Sequence, residues 1–151
     1  MNSQLQAISA KAKDLDGEPW EIAEALNSPD PAITSRIHTP VATARGLLLA
    51  RGEWAAIVLT ADNQNADMAL RAACITVRDT LSPPMSTVHT GDPATLAVIT
   101  QCLDGLVAAS VLTPETRDAL LALSVVPISW AQANLGQQIT ARDVALAMGA
   151  E

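Results

Sequence analysis

Asp92-Pro93 opens a run in which Leu96, Ile99, Leu103, Leu106 and Val107 recur in steps of three and four. A side-chain acceptor followed by a residue whose φ is already helical is a strong start signal. The spacing behind it lays one apolar stripe along a helix and cannot be used by a strand. The expectation is a helix over 94–109 that forms the centre of the core, so this chain must bury helix against helix.

The same grammar recurs. Leu70, Cys74, Val77 and Leu81 stripe a helix over 66–81, stopped by Ser82-Pro83-Pro84, and Thr113-Pro114-Glu115 opens another over 115–123. Short helices are expected over 3–13, after Pro19, over 42–51 and over 53–60, the last two jointed at Gly52. Ser129-Trp130-Ala131-Gln132 and Thr140-Ala141-Arg142-Asp143 have capping-box spacing, which predicts two more, with Leu135-Gly136 as the break. One segment differs: Ile33, Ser35, Ile37, Thr39 and Val41 alternate with Thr34, Arg36, His38 and Pro40, a period of two that argues extended chain. Asn27-Ser28-Pro29-Asp30-Pro31 reads as the break before it. The fold class is therefore all-α, a single domain over 1–151 of seven to nine short helices with one extended segment near 33–41. No repeat period is visible.

Composition narrows the function classes. Of 151 residues 49% are hydrophobic and 28 are alanine, while the aromatics are three tryptophans alone. That much apolar side chain excludes disorder, and no apolar run approaches the ~18 residues of a membrane span. A net charge of −7 disfavours duplex nucleic acid and anionic lipid as partners. Charged residues make up 17%, against roughly 25% in ordinary soluble domains, so apolar surface is left over once the core is filled. Large exposed apolar patches mark protein–protein contacts, and self-association or a protein partner is the expectation.

Chemistry is sparse. Cys74 and Cys102 sit on apolar helix faces rather than in a disulfide framework. The start Met1-Asn2-Ser3-Gln4 carries no secretory pattern, so synthesis in a reducing cytoplasm is expected. His38 and His89 have no metal-ligand spacing with each other or with the cysteines. Asp14, Asp16 and Glu18 suggest a calcium loop, but placing Gly17 at its turn leaves Ala12 first and Ala23 where the bidentate glutamate belongs. Nucleophile elbow, phosphate loop and dinucleotide fingerprint are absent, and the arginines are scattered without interleaved aromatics. No catalytic, cofactor-binding or metal residues are assigned. Among the tryptophans, Trp20 lies on a helix stripe and reads as core, Trp54 as core or surface, and Trp130 as core or as a docking wedge beside its cap. The interface candidates are Ile33, Ile37 and Val41, pointing one way from a contact arm over 33–41, with Trp54 and Trp130. An isolated strand leaves backbone groups needing partners; they would come from Met85–Thr90 or, by strand addition, from a neighbouring protein.

The stretch from Ser129 to Ala145, SWAQANLGQQITARDVA, resembles the closing motif of small proteins encoded among the structural genes of tailed bacteriophages. There a Ser-x-Ala-Glu-x-Leu-Gly-like turn precedes a Val/Ile-Thr-x-x-Asp-Val helix. Ala25-Leu26-Asn27 with the extended piece after it, and Leu112-Thr113-Pro114-Glu115 with Asp118 and Leu120-Leu121, are similar to two further elements of those proteins. Trp130 stands where that pattern has arginine and Gln132 where it has glutamate. The resemblance implies a structural or adaptor protein of the virion, in the tail or its attachment region. Such a protein is oligomeric, bound to other virion proteins, made in the host cytoplasm and without cofactor or catalysis. The competing expectation is a free cytoplasmic binding or regulatory module acting on a host protein.

Overall fold

The computed structural model describes Asn2–Gly149, and 61% of these residues are helical. In chain order the elements are α1 (Ser3–Ala12), α2 (Pro19–Asn27), β1 (Pro29–Arg36), β2 (Thr39–Pro40), α3 (Val41–Ala50), α4 (Glu53–Asp62) and α5 (Met68–Thr80). There follow β3 (Thr87–Val88), α6 (Pro93–Ala108), α7 (Pro114–Ala122), β4 (Val125–Ser129), α8 (Trp130–Leu135) and α9 (Ala141–Ala147).

The expected caps are in place. Asp92 accepts from the Thr95 N–H, Thr113 from Thr116 and Ser129 from Gln132, and Thr140 and Asp143 form a reciprocal capping box. A second box joins Glu18 and Glu21 at the start of α2, where the Glu18 N–H donates to Glu21 Oε2 at 2.8 Å. Each box satisfies N–H groups that a helix start otherwise leaves open.

The chain divides into two compact units, each with its own buried cluster. The first runs to Ser35 and resumes at Pro127. It packs α9 against α1 and α2, and α8 against α2, around Ile8, Ile22, Leu26, Ala131, Ile139 and Val144. The second, Arg36–Val126, builds its core from Val41, Leu48, Ile57, Cys74, Leu103, Leu106 and Leu112. In it α4 packs on α5, α5 on α6, α6 on α7, and α3 on α4 and α7.

The extended segment differs from its expectation. It begins at Pro29 and breaks after Arg36, and it is not a free arm, because β1 pairs with β4 and β2 pairs antiparallel with β3. Thr39 faces Val88 and Pro40 faces Thr87, so Met85–Thr90 does supply one partner. The other, Val125–Ser129, is a strand the sequence reading did not identify. Val41 is the first residue of α3 and is 3% exposed, inside the second core. Helix α6 puts Leu103 and Leu106 into the second core with Ile99 and Val107 packed against it, and exposes Ala94, Ala97, Val98, Gln101, Gly105 and Ala108.

Candidate interaction surface

Helices α5 and α6 leave an open groove of about 660 Å³ between them. Ala69, Ala72 and Ala73 line it from α5, Gly105, Ala108 and Ala109 from α6 and its C-cap, with Gln101 and Cys102 beside them. Small side chains on both walls bring the backbone close to the surface, and an approaching helix can then settle deeply between the ridges.

The outer face of α6 continues this surface. Ala94, Val98, Gln101, Gly105 and Ala108 are all exposed and alternate in steps of four and three, the spacing of a coiled-coil seam. Val98 is 56% exposed. Gly105 lies mid-helix, and a Cβ built there meets nothing within 4 Å. An interior helical glycine weakens a helix by ~0.5–1 kcal/mol relative to alanine, and nothing within the chain requires this one. Other large apolar side chains stand in water: Met68 at the start of α5 is 85% exposed and Leu59 on α4 is 71% exposed.

Behind the groove lies an apolar cavity of about 60 Å³, bordered by Val77, Leu81, Ile99, Leu103, Leu120 and Leu121. Thr76 and Cys102 line both spaces. Burial pushes the thiols of Cys102 and Cys74 up from the ordinary cysteine range, with a Thr60 contact partly opposing this at Cys74. A thiol held protonated is a poor nucleophile.

The charged groups nearby are used inside the chain. Arg78 bridges Asp62 and Asp79, each at 3.0 Å, and Arg117 bridges Asp104 at 2.7 Å and Asp118 at 2.9 Å. Arg71 Nε donates to the Ala61 carbonyl near the end of α4. Glu53 serves the start of α7, taking the Thr113 N–H and the hydroxyl of Thr116, which is fully buried. Among the described residues no three of His, Cys, Asp and Glu converge to hold an ion.

The five interface candidates from sequence divide between the two units, Ile33 and Trp130 in the first and Ile37, Val41 and Trp54 in the second. Ile33 is half-buried on β1, and Ile37 is 41% exposed just beyond it. The Ile37 backbone is fixed, its N–H donating to the Ser124 carbonyl at 2.8 Å and its carbonyl accepting the Thr90 hydroxyl at 2.7 Å. Val41 is core. Trp54 is half-buried against the second core and Trp130 against the first. Trp20, read as core, is 59% exposed, because α2 buries Ile22, Ala23 and Leu26 instead. At 100° per residue those three cluster roughly 110° around the helix from Trp20. The α6 face was missed because its polar and small members hide in an alanine-rich helix; its signal was the Val98–Gln101–Gly105–Ala108 spacing opposite the core stripe.

No known family, curated protein or solved structure is similar enough to this chain to match it.

Proposed function

We propose that this chain is a structural or adaptor protein of a tailed bacteriophage particle, in the tail or its attachment region, and that it works by burying surface against copies of itself and other virion proteins. The observation that carries this reading is the α6 face with its adjoining groove. The seam has coiled-coil spacing, and its Gly105 weakens the helix in the isolated chain while letting another helix approach closely. Met68 and Leu59 are further exposed apolar side chains, and a stable protein contact buries about 1,200–2,000 Å². The likeness of Ser129–Ala145 to the closing motif of phage structural proteins supplies the setting. Catalysis has no part in the proposal, and the titratable side chains described above serve as caps, ion pairs and core.

Quantitative mass spectrometry of purified particles tests it. The expected result is this chain in fixed stoichiometry with the other virion proteins. Abundance in infected cells with absence from particles would overturn the proposal in favour of a cytoplasmic regulator.

A further inference from the structure

Two histidines that sequence spacing leaves unrelated are brought together by strand register. Thr39 faces Val88 and Pro40 faces Thr87 in the β2–β3 ladder, and His38 and His89 stand next to each other in the chain ends that leave it. The ladder is bracketed by the Val41 N–H donating to the Ser86 carbonyl and by a tight turn at His89, where the Thr90 N–H returns to the Val88 carbonyl. The two imidazoles accordingly meet edge to face, with ring centroids 4.7 Å apart, and both residues are exposed. On the opposite face Thr39 and Thr90 are buried, their hydroxyls 2.9 Å apart, which fixes the ladder beneath the rings.

His38 also closes the turn that leads into α6. Its Nδ1 accepts the Gly91 N–H at 3.2 Å, and a Cβ at Gly91 would stand 3.0 Å from the ring. The Asp92 N–H then returns to the His89 carbonyl, and Asp92 caps α6 through Thr95. An imidazole that accepts at Nδ1 must be neutral with its proton on Nε2; the imidazolium carries a proton on both nitrogens and can only donate.

We propose that the His38–His89 pair is an acid-sensitive lock on the turn from β3 to α6. Protonation of His38 sets an N–H against the Gly91 N–H, and protonation of both rings places like charges in rings whose centroids are 4.7 Å apart, which is destabilising. Two other charged groups bear on the pair. Asp92 is close enough to feel the His89 charge but already accepts from Thr95, and Arg36 is turned away to the Leu121 carbonyl and Ser124 hydroxyl. The closed turn therefore requires the neutral His38 ring, and acid opens it.

The test is an NMR titration of the full-length, nitrogen-15-labelled protein, following the Gly91 amide and the His38 ring signals together. The expected result is that the Gly91 amide loses its hydrogen-bonded shift with the same midpoint as the His38 ring, while far-UV circular dichroism stays constant. His38→Asn removes the titrating group and should abolish the Gly91 response. His89→Ala removes the facing ring and should keep the Gly91 response, because the Gly91 N–H is held by His38. A Gly91 amide that stays still while His38 titrates overturns the proposal, as does a Gly91 response that persists in His38→Asn or a midpoint shared with loss of the helices.

Discussion

The Asn27 side chain pairs with the backbone of Ile139, a residue 112 positions away, through two hydrogen bonds. Asn27 Nδ2 donates to the Ile139 carbonyl at 2.7 Å, and Asn27 Oδ1 accepts the Ile139 N–H at 2.9 Å. The amide completes what a neighbouring strand would otherwise supply. It ties the end of α2 to the residue that precedes the α9 cap, beside the buried Ile139 side chain.

Replacing Asn27 with alanine leaves a part-buried N–H and carbonyl without partners, at a cost of about 1–3 kcal/mol. Asn27→Asp keeps the acceptor but turns a carboxylate oxygen toward the Ile139 carbonyl, and should do no better. Urea unfolding followed by tryptophan fluorescence checks this, since Trp20 and Trp130 both belong to the first unit. An Asn27→Ala midpoint equal to wild type would show that water replaces the pairing without loss.

Leu103 is 4% exposed and borders the apolar cavity. Leu103→Ala enlarges that space and removes side-chain contacts from the second core, so the expected loss is about 2–5 kcal/mol. A denaturant melt showing less than about 1 kcal/mol would mean that α7 closes over the gap.

How far the fold could be read from sequence varies with the range of the signal. Caps and stripes are local, and Asp92-Pro93, Thr113-Pro114 and Thr140–Asp143 each mark a helix that the structure contains. Strand pairing is not local. Val125-Val126-Pro127-Ile128-Ser129 is short and interrupted by proline, and only its pairing with β1, about ninety residues earlier, makes it a strand. Val41 followed the period-two pattern, but its neighbours Ala44 and Leu48 already continued a helical stripe, and the helix claimed it. The same limit hid the histidine pair: nothing near His38 or His89 announces the other, and the β2–β3 register alone brings them together.

Acid should loosen the start of α9. The Thr140 hydroxyl and N–H both donate to Asp143, holding its carboxyl below the usual carboxylate range. A carboxyl depressed in the folded state adds stability above its unfolded pKa of about 4 and loses it as pH falls through the lower folded value. Stability measured from pH 6 downward should therefore fall less steeply in Asp143→Asn than in wild type. The variant should be the less stable of the two at neutral pH. Equal slopes would mean that the box does not survive in solution.

The last prediction concerns α6 alone. Gly105 has ordinary helical backbone, an exposed position and open space around its missing Cβ, so Gly105→Ala should stabilise the isolated chain by about 0.4–1 kcal/mol. If α6 is a seam, the same methyl group stands where another helix must approach, and assembly should weaken as the fold strengthens. Wild-type protein is expected to sediment at micromolar concentration as species above 15.7 kDa. Gly105→Ala should shift that distribution toward monomer, and Val98→Glu, which puts a carboxylate on the seam, should complete the shift without changing the circular dichroism. Opposite movement of melting temperature and oligomer size in Gly105→Ala separates an interface from a surface that is merely apolar. A Gly105→Ala protein that gains stability and assembles as before would remove α6 from the contact and leave Met68, Leu59 and Trp20 as the surfaces to examine.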